Sequence, residues 1–124
     1  MEYICGAYDR LSDADNKTDE SSSIQSQKII IDSFAKFNNL KIYKHYIDDG
    51  YSGGNFDRPG FKEMIKDIES GKINCVITKD LSRLGREMYK TGKYIEEYFL
   101  EKGVRYIAIN DSYDSNIGDS MLGI

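Results

Sequence analysis

Four short apolar segments, each separated from the next by a stretch of helical period, restrict this chain more than any other feature. Residues 3–8, 40–47, 73–78 and 104–109 read as strands, the first of them apolar or aromatic on both faces. Between them the apolar positions change to a spacing of three and four. Ile24, Ile31, Phe34 and Ala35 or Phe37 form one stripe, and Phe61, Met64, Ile65 and Ile68 form a second. Met88, Ile95, Tyr98 and Phe99 form a third. Strand alternating with helix means a three-layer α/β/α domain around a mainly parallel sheet of four or more strands. Each crossover should be right-handed, and 124 residues fit one domain, residues 1–124.

Local signals set the helix ends. Ser22 followed three residues later by Gln25 fits a capping box that opens a helix running to about Asn38. Pro59 suits a first helical turn, and Gly71 suits a stop. Ser82 is expected to cap a long helix that ends at Gly103. Residues 13–20 are polar and read as a mobile loop, and residues 48–58 (DDGYSGGNFDR) as a glycine-rich one. The apolar Met121, Leu122 and Ile124 look like the first turn of a further helix.

No apolar run approaches membrane-spanning length, and the N-terminus lacks a secretory leader. Cys5 and Cys75 lie in strand-like segments without a spaced framework, which suggests buried thiols and a cytoplasmic setting. No His, Cys and carboxylate group has metal spacing, so neither metal nor other cofactor is expected.

In a parallel α/β sheet, ligands gather at the carboxyl ends of the strands. Those ends carry residues 8–12, 48–58, 79–86 and 110–114, and three of the four hold arginine: Arg10, Arg58, then Arg83 and Arg86. Arg83 and Arg86 share a helix face, since they are three apart. Guanidinium forks match phosphate oxygens in pairs and stay charged at any relevant pH, so arginines converging on one edge call for an anion between them. Ser12 stands two residues after Arg10. A serine needs a base or a strong positive field to lose its proton, and the single histidine, His45, falls inside the second strand. Arginines are then what remains to stabilise a transferring phosphoryl group. Singly, Ser12 reads as a loop or capping residue and each arginine as a solvated surface group; the combination on consecutive strand ends carries the phosphate reading.

The motifs at these ends resemble one family. Tyr8-Asp9-Arg10-Leu11-Ser12 is similar to the Tyr-x-Arg-[Val/Leu/Ile]-Ser opening of the resolvase/invertase serine recombinases, and residues 23–27 (SIQSQ) to the family's Ser-[Ile/Leu]-x-x-Gln segment. Residues 48–53 (DDGYSG), 56–61 (FDRPGF) and 79–86 (KDLSRLGR) resemble signatures of the large serine recombinases, and residues 107–111 (IAIND) resemble the family's fourth strand. The resemblance implies a resolvase-like catalytic domain in which Ser12 attacks DNA to give a 5′-phosphoserine linkage and a free 3′-hydroxyl. It implies site-specific recombination that integrates or excises mobile elements without ATP or metal. Carried over by motif, Ser12, Arg10, Arg83 and Arg86 are catalytic, Arg58 and Gln25 bind the substrate phosphate, and Asp80 is an accessory candidate. DNA is the implied partner, together with a homodimer and synaptic tetramer of the full-length protein.

Two features depart from the family pattern. Many small resolvases carry Asp where this chain has Ser82. The family's long oligomerisation helix and DNA-binding domains would lie past Ile124, so the chain is expected to be a fragment of a larger recombinase. The net charge of −4 agrees with weak DNA binding by this domain alone. Two rival readings keep the same edge: a phosphatase-like or phosphate-ester-binding domain, and a receiver-like domain using Asp48, Asp49 and Asp111.

Overall fold

A computed structural model describes residues 2–12 and 23–116. Five strands form one sheet in the order β2-β1-β3-β4-β5. The strands are β1 (Ile4–Leu11), β2 (Lys41–Asp49), β3 (Cys75–Thr78), β4 (Arg105–Ala108) and β5 (Tyr113–Asp114). The first four run parallel, as their alternation with helices requires, and the two-residue β5 adds an antiparallel edge on β4. That short hairpin strand has no apolar run behind it and was not legible in the sequence.

Helix α1 (Ile24–Phe37) covers one face of the sheet, where Cys5, Ala7, Ile31, Cys75, Ile77 and Ile107 pack together. Its cap is Ser23, whose side chain accepts from Ser26 N–H, one residue later than the capping box suggested. Ser22 and the loop 13–20 lie outside the described residues, as does the apolar segment 121–124. Phe37, a candidate for the inward stripe, is 88% exposed; Gln27, Ile31 and Ala35, four apart, are the buried positions.

Helix α2 (Pro59–Glu69) packs on the opposite face through Phe61, Met64 and Ile68. Pro59 occupies its first turn, and the Asp48 carboxylate on β2 accepts from Gly60 and Phe61 N–H at 2.8 and 2.9 Å. A strand-end acid therefore satisfies two donors that the helix cannot satisfy itself.

The third helical region differs from the single long helix expected. A four-residue α3 (Leu81–Leu84) is capped by Asp80, not Ser82, and ends where Gly85 is fully extended. A Cβ on Gly85 would stand 2.5 Å from both Phe56 Cζ and Thr91 Oγ1, so only glycine lets these segments meet. The chain then re-enters a helix as α4 (Met88–Lys93), capped by Glu87, and continues through a π-helical turn (Tyr94–Tyr98) into α5 (Phe99–Glu101). Met88, expected inward, begins α4 ahead of the packed turns and is 87% exposed. Tyr94, Phe99 and Tyr106 continue an aromatic series begun by Phe56 and Phe61, with neighbouring ring centroids 4.7–6.3 Å apart. No helix among the described residues is long and apolar enough to cross a membrane.

Candidate active site at the carboxyl edge of the sheet

Because β1 to β4 are parallel, their carboxyl ends share one edge, and the predicted arginines arrive there from three strands. Arg10 is the next-to-last residue of β1, not a loop residue, and is fully buried. Three backbone carbonyls hold its guanidinium: Nε donates to Arg83 O at 3.1 Å, Nη1 to Tyr51 O at 3.0 Å and Nη2 to Ser82 O at 2.6 Å. Carbonyl acceptors offset much of the cost of taking the cation out of water. The glycine-rich loop presses close to do this. A Cβ on Gly53 would fall 2.8 Å from Arg10 Nη2, and Gly53 O accepts from Arg86 N–H at 2.8 Å. The loops after β2 and β3 are thus fastened to each other and to Arg10.

Ser12 follows the last residue of β1 and is half-buried. Beside it, the Leu11 carbonyl accepts from Gly50 and Tyr51 N–H, which seats the loop after β2 against the end of β1. Arg83 is 5% exposed, with Nη1 3.4 Å from Arg10 O and Nε 3.8 Å from the Asp80 carboxylate. Arg86 is exposed. Asp80 accepts from Arg83 N–H at 3.2 Å and from the Ser82 hydroxyl at 2.6 Å, so Ser82 orients this carboxylate. A cleft of about 480 Å³ opens here, lined by Asp80, Ser82, Arg86, Asn110 and Asp111. A larger cavity of about 670 Å³ lies between α2 and α4, around Phe56, Lys62, Lys90 and Tyr94. It is lined by none of the four arginines, whereas the smaller cleft is lined by Arg86 and by Asp80 and Ser82 from the segment that holds Arg10.

Arg58 stands apart from the open cleft. It is fully buried, with its guanidinium carbon 4.6 Å from the Phe56 ring centroid, 5.5 Å from Phe61 and 5.7 Å from Tyr8. Nε donates to Asn55 O, and Nη1 donates to the Tyr8 hydroxyl at 2.8 Å. Among the described residues the buried Nη2 has no hydrogen-bond partner. The Tyr8 hydroxyl in turn donates to the Asp48 carboxylate at 2.7 Å. Burial, only partly offset by Arg58, holds the Tyr8 phenol well above its ordinary range, so it remains a donor.

Gln25 is not brought to this edge; it lies on the exposed side of α1. The glutamine that reaches β1 is Gln27, fully buried, with its amide oxygen accepting from Arg10 N–H and its amide nitrogen donating to Arg10 O at 3.2 and 3.0 Å. The pairing of β3 with β1 reaches only to Tyr8, so Gln27 continues it for Arg10 as a strand would. Its place four residues before Ile31, on the inward stripe, was the available signal. Sequence reading also passed over Tyr8 and Asp48 as a connected pair, because residues forty apart in sequence betray no hydrogen bond.

The family model "Resolvase, N terminal domain" matches residues 5–124. A protein of Bacillus subtilis (strain 168) described as a DNA recombinase is 30% identical over 94 residues, covering 76% of this chain and 18% of that protein. The chain therefore spans under a fifth of this curated relative's length. Among solved structures, the N-terminal catalytic domain of TP901-1 integrase superposes with a TM-score of 0.85 at 25% identity, covering 97% of this chain and 88% of that one. A resolvase family site-specific recombinase from Streptococcus pneumoniae gives 0.79 at 29% identity, covering 98% and 82%.

Proposed function

Because the chain belongs to the resolvase N-terminal domain family, we propose that it is the catalytic domain of a serine site-specific DNA recombinase. The Ser12 hydroxyl oxygen attacks a DNA phosphorus, the bond from phosphorus to the 3′-oxygen breaks, and a 5′-phosphoserine forms. Overall a proton passes from Ser12 to the departing 3′-oxygen. Attack by the 3′-hydroxyl of an exchanged strand reverses the step, so the phosphodiester's energy is conserved.

The observation that supports this reading is the fastening of Arg10, two residues before Ser12, to the segment of Ser82 and Arg83, next to a cleft that Arg86 lines. Exposed Arg86 reaches a phosphate directly, with Arg83 behind it. Preorganised cations of this kind stabilise charge that develops in the transition state. Arg10 and Arg58 face backbone carbonyls and aromatic rings, so they reach the phosphate only when residues 50–58 shift as DNA and partner subunits assemble. Asp80, oriented by Ser82, stands in for the aspartate that small resolvases carry at position 82. Gln27, rather than Gln25, supports the site. DNA, a homodimer and a synaptic tetramer are the proposed partners of the whole protein, working in the cytoplasm on mobile-element DNA.

The test uses DNA carrying the recombination site, labelled at either side of the break and trapped with denaturant. A covalent adduct that keeps the label of the segment lying 3′ of the break, whose 5′-phosphate is joined to the protein, and that is lost in Ser12→Ala, is expected. Hydrolysis of free phosphate esters without any DNA adduct would instead favour the phosphatase-like reading.

A further inference from the structure

His45 has a role that neither its strand position nor the proposed chemistry required. It lies on β2, the edge strand, diagonal to Asp9 on β1. Its Nδ1 is 2.7 Å from the Asp9 carboxylate, and its Nε2 is 2.8 Å from the Asp32 carboxylate on α1. A neutral imidazole offers one N–H and one lone pair, so two carboxylate acceptors call for the doubly protonated ring. Asp9 is fully buried, His45 is its hydrogen-bond partner, and among the described residues its second oxygen has none.

Asp9 immediately precedes Arg10. Asp32 lies on the same helix as Gln27, whose amide holds the Arg10 N–H and C=O. Fixing α1 to β2 through His45 therefore also fixes the glutamine that continues β1 toward Ser12. We propose that His45, as an imidazolium bridging Asp9 and Asp32, is a positioning residue that holds the Arg10–Ser12 strand end in place for DNA cleavage. This rests on the serine recombinase reading above.

The charged groups facing the bridge are Asp9 from β1 and Asp32 and Lys28 from α1. α2 packs on the other face of β2, where Lys44 pairs with Glu63 and Tyr46 donates to Asp67. Burial alone would lower the His45 pKa, but hydrogen bonds to Asp9 and Asp32 outweigh it and raise it above the ordinary 6.5. Burial also pushes the Asp9 carboxyl up, against the pull of His45. A raised histidine pKa stabilises the fold fully below the ordinary value, and this contribution is lost as pH rises through the folded one. Cleavage should thus fall as pH rises through the raised His45 pKa.

His45 is the chain's single histidine, so its ring signals need no assignment. The experiment is an NMR pH titration of the wild-type chain, read at both ring nitrogens, the Arg10 backbone amide and the Gln27 side-chain amide. Expected is a midpoint above 6.5 with both nitrogens protonated below it, shared by the Arg10 and Gln27 signals. A midpoint at or below 6.5, or Arg10 and Gln27 signals that do not follow it, overturns the proposal without recourse to any variant. Cleavage profiles then separate positioning from packing. His45→Gln should lower cleavage on the order of tenfold and lose the alkaline limb, whereas His45→Arg, charged throughout, should keep cleavage level across it. A wild-type profile in His45→Gln also overturns the proposal. A shared NMR midpoint in a chain that never cleaves DNA would refute the recombinase reading and leave the coupling established.

Discussion

Replacing Tyr8 with phenylalanine deletes one oxygen from the middle of the Asp48–Tyr8–Arg58 chain. That oxygen donates to Asp48 and accepts from Arg58 Nη1. Asp48 keeps the Gly60 and Phe61 N–H groups, so its loss is modest. Arg58 fares worse: with Nη2 already unpartnered, both terminal nitrogens would be buried without an acceptor. A hydrogen bond to a charged group contributes about 1.5–3 kcal/mol, and stranding a buried donor adds to the loss, so Tyr8→Phe should cost about 3 kcal/mol. At roughly 2.1 cal/mol/K per residue, that lowers the melting midpoint of a 124-residue domain by about 11 °C. Thermal unfolding of Tyr8→Phe, Arg58→Met and the double variant supplies the assay. Methionine removes the stranded charge while filling the cage of Phe56, Phe61 and residue 8, so the double variant should be more stable than Tyr8→Phe alone. A single-variant loss below about 1 kcal/mol, or losses that simply add, would refute the reasoning.

Four further outcomes are expected. Gly53→Ala places a methyl 2.8 Å from a guanidinium nitrogen pinned by carbonyls, so unfolding should show a loss of about 1–3 kcal/mol and cleavage should fall with it. Gln27→Leu removes the Gln27 acceptor and donor from the buried Arg10 backbone, leaving Arg83 Nη1 at 3.4 Å from the C=O, and should cost about 1–3 kcal/mol. Gln25→Leu on the exposed side should stay within about 0.5 kcal/mol in the same denaturant titration. At physiological salt, the acidic chain alone should give no mobility shift with site DNA in the nanomolar range, because few phosphate contacts offset its net charge of −4.

The layers and the parallel order were legible because strand and helix periods alternate without interruption from residue 3 to residue 109. The arginine edge was legible for the same reason: parallel strands deliver their carboxyl ends to one side. What escaped was the state of each arginine. Nothing local to Arg10 distinguishes a solvated side chain from one held by carbonyls, since those partners lie 41 to 73 residues away. Arg58 has Asn55, Phe56 and Phe61 close in sequence, but the Tyr8 hydroxyl that completes its burial lies 50 residues away. The break at residues 85–87 escaped because the helical pattern of residues 82–99 continues through it, and only the close approach of Phe56 demands the interruption. Gln25 was assigned although the Ser-[Ile/Leu]-x-x-Gln segment ends on Gln27 and the apolar stripe already separated the faces of the two. His45 was read as an ordinary strand residue because its two carboxylates come from different elements.

The most direct test of the account digests the trapped DNA adduct with protease and nuclease and sequences the modified peptide by mass spectrometry. Expected is a nucleotide joined through its 5′-phosphate to Ser12. A nucleotide on any other residue, or a linkage through a 3′-phosphate, would contradict it.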